Sequence, residues 1–134
     1  MSIQAQVTLR TRKLGVLIRD ARLARRRTVP ECASALGVSS GIFRAYEEGR
    51  RAPSLPEMEI FSFFTGLPLS RFWSTEAVSD DTEPVVSLNL LPLLSIRQRM
   101  IGALLRQERE KAGLSLKALA ERAAIPSSRL KSYE

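Results

Sequence analysis

The chain has 134 residues, enough for one ordinary domain or two small ones, and 44% of them are hydrophobic, which suffices for a buried core. With no histidine and a single cysteine, Cys32, it lacks the usual zinc ligand sets, an internal disulfide and the commonest general base, so no metal, no cofactor and no enzyme are expected. Twenty-one basic against fourteen acidic residues give a net charge of +7, which favours an anionic partner.

That charge is unevenly spread: residues 1–51 sum to +7, 52–96 to −5 and 97–134 to +5. No apolar run approaches the roughly 18 residues of a membrane span, and the first ten residues lack the apolar core of a secretory signal. No membrane partner is expected, and the expected location is the cytoplasm.

Taken in chain order, Ile3, Ala5, Val7 and Leu9 alternate with period two and predict a short strand over 3–9. Leu14, Leu17, Ile18 and Ala21 recur at helical spacing, with Arg19, Arg22, Arg25 and Arg26 mostly around the other side. Thr28 with Glu31 forms a capping box, Pro30 suits a first turn, and Val29, Cys32, Ala33 and Leu36 give a second, short helix its apolar stripe. Gly37 can end that helix and Ser39 can cap a third, whose inward face is Phe43 and Tyr46 and which stops at Gly49. Ser54 and Glu57 make another capping box before Met58, Ile60, Phe61 and Phe64, and Gly66 closes that helix ahead of a short turn carrying Phe72 and Trp73.

Residues 74–84 are polar, acidic and without periodicity, as in a linker. Val86, Leu88 and Leu90 alternate again, which predicts a strand over 85–91 that pairs with 3–9 inside one chain or between two. The competing reading is an apolar strap over 85–94 laid on a helical core.

The two basic segments are copies of one unit: a shift of 87 residues lays 10–47 on 97–134 without a gap, with 10 of 38 positions identical. Average composition would give about two or three. The matches include Gly15/Gly102, Leu17/Leu104, Arg22/Arg109, Ala33/Ala120, Tyr46/Tyr133 and Glu47/Glu134. The domain division is therefore a complete unit over 10–73, a linker with strap or strand over 74–94, and a partial second copy over 95–134. Residues matching 48–73 do not follow Glu134, so the second copy either belongs to a longer regulator or completes its core against the first unit, the 85–94 segment or another chain.

The stretch VSSGIFRAYEEGRRAPS makes the resemblance specific: it is similar to the xenobiotic-response-element family of helix-turn-helix domains, which includes the lambdoid phage repressors and Cro. The resemblance covers residues 12–73 and, through the repeat, 97–134. It implies an all-α fold, a lambda-repressor-like five-helix bundle whose third helix enters the major groove of double-stranded DNA, followed by a second, partial helix-turn-helix. The family commonly joins an Arg of the first helix to a Glu at the end of the third, and Arg22/Glu47 and Arg109/Glu134 fall at those positions; such a pair would fix the angle of the third helix.

By the same resemblance, base-edge contacts would come from Ser40, Gly41, Ile42, Arg44 and Ala45 in the first copy. In the second they would come from Ser127, Ser128, Arg129, Lys131 and Ser132. Thr28, Ser39, Arg50 and Arg51 would serve phosphates, with Arg10, Arg12 and Lys13 in reserve. Three positions depart from the pattern. Val29 and Leu116 replace a frequent contacting Gln, and Arg27 stands where a core residue is usual, its stem free to snorkel. Cys32 lies on an apolar stripe and reads as a core thiol.

The resulting expectation is a transcriptional repressor, nucleoid-associated, whose paired units grip neighbouring half-sites, with a homodimer as one arrangement. The competing one is a protein-interaction module, antitoxin-like or anti-repressor, in which Gly41, Ile42 and Ala45 form an apolar patch for a protein partner.

Overall fold

The computed structural model describes residues 2–73 and 89–134. Among the described residues there are seven α-helices, one 3-10 turn and no β-strand. The first helix, α1 (Ile3–Ala24), starts at a cap: the Ser2 side chain accepts from the Ala5 amide at 3.2 Å. The Thr8 and Thr11 hydroxyls then donate back to the carbonyls of Gln4 and Val7 at 3.0 and 2.9 Å.

The strand expected over 3–9 is therefore corrected to helix. Ile3, Val7 and Leu9 alternate in sequence but are each about half exposed, so no buried pleat holds them. A helix closes its hydrogen bonds within the segment, whereas a lone strand leaves them open. Of the strand expected over 85–91, residues 85–88 lie outside the described residues, as does the linker reading of 74–84. Leu90 has helical backbone angles and Leu91 begins the next long helix, so no strand forms there.

The helices α2 (Val29–Leu36) and α4 (Leu55–Thr65) each open on a reciprocal capping box, Thr28 with Glu31 and Ser54 with Glu57, and each has a proline in its first turn. Each closes on a glycine in the left-handed region, Gly37 at φ 68° and Gly66 at φ 70°. Caps of this kind contribute about 1 kcal/mol each and set where the helix starts. Between them α3 (Ser40–Glu47) is capped by Ser39, whose side chain accepts from the Ile42 amide. The inward faces of α1 to α4 meet in one core of Ile18, Ala21, Cys32, Leu36, Phe43, Tyr46, Met58 and Phe61. A 3-10 turn (Leu69–Phe72) lays Phe72 on Phe61, ring centroids 5.7 Å apart. The one buried polar side chain described, Thr65, donates to the Phe61 carbonyl at 2.8 Å.

The second basic segment folds as α5 (Leu91–Lys111), α6 (Leu116–Ala123) and α7 (Ser127–Tyr133). The start of α5 lies along α4, with Leu90 and Leu94 packed on the first core. Arg97 grips Glu59 through Nε and Nη2, both at 3.0 Å. Of the strap expected over 85–94, Leu90 and Leu94 pack on the first core, while 85–88 lie outside the described residues.

The repeat in sequence is a repeat in structure. A Cβ on Gly15 would sit 2.5 Å from the Tyr46 carbonyl oxygen and 2.6 Å from that of Glu47; one on Gly102 would collide with the Tyr133 carbonyl and lie 3.1 Å from that of Glu134. Both glycines let the first helix touch the end of the third, backbone to backbone. Each repeat also has two turns that need positive φ, and each fills only one with glycine. The first uses Arg26 (φ 52°) and Gly37; the second uses Gly113 and Ala124 (φ 56°).

Ala124→Gly should therefore raise stability by roughly 0.5–1 kcal/mol, since an L side chain pays a steric penalty there. Gly15→Ala should lower it by about 1–3 kcal/mol through forced separation of the two helices. Urea unfolding midpoints at constant m-value check both signs.

Candidate nucleic-acid interface

The outward faces of α3 and α7 are set by one interaction made twice. Arg22, half-buried on α1, donates from Nε and Nη2 to the two carboxylate oxygens of Glu47 and from Nη1 to the Arg27 carbonyl at 3.1 Å. Arg109 on α5 does the same with Glu134, at 2.7 and 3.0 Å, and with the Leu114 carbonyl at 2.8 Å. Arg27 and Leu114 are equivalent positions of the repeat, so three hydrogen bonds from one guanidinium recur atom for atom.

Side-chain exposure is only 13% and 9% for the first pair, 11% and 7% for the second, so solvent screens them little. The hydrogen bond that Arg22 donates to Glu47 raises the Arg22 pKa against a smaller burial effect, and that from Arg109 holds the Glu134 carboxyl below its usual range. Arg50 and Glu48 also pair, at 2.6 Å, but at 65% and 56% exposure. A pair that wet contributes about 0–1 kcal/mol.

The consequence for the third helices is electrostatic. Within α3 the only carboxylate is Glu47, and next to α7 it is Glu134; each is turned inward and neutralised. On α3 the water-facing residues are Gly41 and Arg44, with Ser40 half-exposed and the capping Ser39 beside them. On α7 they are Ser127, Ser128, Arg129, Lys131, Ser132 and Tyr133, all exposed, with the Ser132 hydroxyl donating to the Arg129 carbonyl at 2.6 Å.

Two residues expected at the interface are placed elsewhere. Ala45 is 8% exposed, turned into the body of the fold, and Ile42 is half-buried against the core. Ala45 lies between Phe43 and Tyr46 on a helix of two turns, where the buried arc extends past the aromatic pair and takes in the small side chain. Arg50 and Arg51 are exposed just after α3, and Thr28 is exposed at the start of α2. Arg10, Arg12 and Lys13 are also exposed, and Arg12 passes against Gly49 at the end of α3.

Sequence reasoning missed the role of Glu59, which holds Arg97 and so ties the second repeat to α4. Its signal was faint, an acid in the middle of a helix whose partner lies 38 residues away. Arg27 lays its guanidinium over the Phe64 ring, 4.9 Å from the centroid, while its backbone carbonyl completes the Arg22 pair. A groove of about 730 Å³ between α2, α4 and the start of α5 is lined by Arg27, Glu31, Phe63, Phe64 and Leu91 among others. Among the described residues its one carboxylate, Glu31, is engaged in the α2 cap. Among the described residues no helix is long and apolar enough to cross a membrane.

Comparison of the chain with protein-family models, with curated proteins and with solved structures gives no match in any of the three, so a functional reading rests on its own residues.

A double-mutant cycle on Arg22→Met and Glu47→Gln should return a coupling of about 2 kcal/mol, because a largely buried charge-assisted pair is being split. The same cycle on Arg50 and Glu48 should return about 0–1 kcal/mol. A second expectation concerns alkaline pH. Burial pushes the Cys32 thiol up to about 12, and burial with the hydrogen bond to Glu57 raises Tyr46 as well. The folded state favours both neutral forms, so their contribution is complete below the unfolded pKa values and is lost as pH rises through the folded ones. Urea midpoints should fall between about pH 9 and pH 12, and Cys32→Ala should flatten the lower part of that decline.

Proposed function

We propose that this chain is a DNA-binding protein in which α2–α3 and α6–α7 act as two helix-turn-helix units of the lambda-repressor-like kind, presenting α3 and α7 to the major groove. The observation that carries the reading is the inward withdrawal of Glu47, the only carboxylate within α3, and of Glu134, which follows α7, each onto an arginine of the first helix of its unit; Glu48, which follows α3, is exposed and engaged by Arg50. That withdrawal leaves outward faces of serine, glycine, arginine and lysine. Phosphates repel carboxylates and attract such donors irrespective of sequence, while a helix of this width fits the groove.

The two faces differ in what they can read. On α3 only Arg44 can make a strong guanine contact, with Ser40 a weak discriminator. On α7 Arg129 and Lys131 stand among three serines, a set with more donors, and Arg129 is suited to a bidentate guanine contact. Arg50 and Arg51 are placed for the backbone that flanks α3, and the capped starts of α2 and α3 add oriented amides. A transcriptional repressor is the role this design suits: occupancy of a site by two linked units blocks it without further chemistry.

The competing reading, a protein-interaction module using Gly41, Ile42 and Ala45, has less support. Ala45 is buried and Ile42 half-buried, so those three do not make an exposed apolar patch.

Titration of the chain into a labelled duplex should show affinity falling steeply with salt. Arg51→Ala and Arg129→Ala should each reduce the log–log salt slope by about one unit if each meets a phosphate, and Arg129→Ala should also relax preference at one base pair if it reads a guanine. Arg50→Ala should have a smaller effect than Arg51→Ala, because Glu48 already engages Arg50. No duplex binding even at low salt would remove the reading.

A further inference from the structure

The helix α5 belongs to both units. Its later turns form the first helix of the second repeat, where Gly102 meets the end of α7 and Arg109 holds Glu134. Its start lies on the first repeat instead, through three separate contacts. Leu90 and Leu94 pack on the first core, and Arg97 grips both carboxylate oxygens of Glu59 on α4 at 3.0 Å. Leu91 sits over the turn between α2 and α3, so close that a Cβ on Gly37 would stand 2.9 Å from Leu91 Cδ2.

The internal repeat separates these contacts from those that build a unit. Extended backwards, the 87-residue shift carries Leu90, Leu91, Leu94 and Arg97 onto Ile3, Gln4, Val7 and Arg10, and all four of these are exposed on α1. The first repeat closes its Arg22–Glu47 clamp and its core all the same. What α1 leaves in water, α5 sets against the neighbouring unit, and at the position that meets the α2–α3 turn the polar Gln4 has become Leu91. From there α5 runs as one helix to Lys111, 21 residues or about 30 Å. Over such a rod a tilt of about 10° at the start moves the far end by roughly 5 Å, more than the roughly 3.4 Å between successive base pairs.

We propose that the docked start of α5 fixes the position of α7 relative to α3, and thereby restricts the chain to paired half-sites at one spacing on a duplex. This inference rests on the DNA-binding reading above. Leu91, Leu94 and Arg97, with Glu59 as counterpart, are positioning residues that act through the joint between the units. Two units on a loose tether accept many spacings, whereas a stiff joint gains avidity only where both third helices meet the groove at once.

Two measurements on the full chain test this. In the first, spin labels at the exposed positions Val16→Cys and Glu121→Cys, in a Cys32→Ala background, report the distance between units in the free protein by pulsed electron paramagnetic resonance. One narrow distribution is expected. Arg97→Glu and Leu94→Asp should each broaden it, and Arg97→Glu combined with Glu59→Arg should narrow it again, with helicity by circular dichroism unchanged throughout. In the second, a pool of duplexes randomised over several helical turns is selected on the chain. The parent should enrich paired sequence words at one separation, and moving them half a turn out of register should weaken binding at least about tenfold. Arg97→Glu should enrich the same words over many separations while binding a duplex with a single word within about twofold of the parent, a split that a general loss of stability does not give. A broad distance in the parent overturns the inference. So do paired words without a fixed separation, or an Arg97→Glu chain that keeps both the narrow distance and the fixed separation; in these cases duplex binding persists and the DNA reading stands. A narrow, Arg97-dependent distance with no duplex enriched removes the DNA reading, and the spacing inference with it.

Discussion

One guanidinium per repeat organises the structure. Arg22 and Arg109 each bind a carboxylate with two nitrogens and a backbone carbonyl with a third, and in doing so join the first helix, the turn after it and the end of the third helix. The contact is possible only because Gly15 and Gly102 let the helix backbones meet. Fork-to-fork pairing fixes orientation as well as distance, so the angle at which the third helix is presented is set from beneath. Everything proposed about α3 and α7 depends on that angle.

The same pair removes negative charge from the outward face, a second effect of one bond. The first repeat then adds a full apolar core, with Phe43, Phe61 and Phe72 in successive ring contacts and Tyr46 tied to Glu57. The second has the clamp but a thin interior, in which Leu130 and Ala120 are the only buried side chains of any size. Among the described residues the two units therefore share a geometry and differ in the packing behind it, and Leu90 and Leu94 with the Arg97–Glu59 pair join the second to the first.

Much of the fold was legible because its signals are local. Thr28/Glu31 and Ser54/Glu57 are written as capping boxes and fold as such, and the 87-residue repeat located Arg109, Glu134 and Gly102 from the order of residues alone. The strand expected at 3–9 failed because alternation of Ile3, Val7 and Leu9 is also compatible with a helix whose apolar side chains stay in solvent. Ala45 was legible as helix but not as buried, since at two turns the edge of the inward arc depends on where α3 settles. The Arg97–Glu59 contact and the cover over the first repeat depend on tertiary packing across many residues, where periodicity carries no information. Among candidate site residues, cations and serines could be named from sequence, but their freedom could not: Arg50 is partly spent on Glu48, whereas Arg129 and Lys131 stand clear.

The most direct test of DNA binding through the two third helices is a map of duplex DNA on the chain by amide chemical shifts at low salt. The largest shifts are expected at Ser39, Ser40, Gly41 and Arg44 and at Ser127, Ser128, Arg129 and Lys131, with Tyr46 and Phe61 nearly unmoved. Shifts concentrated instead around Phe63 and Trp73, or no shifts anywhere, would contradict it.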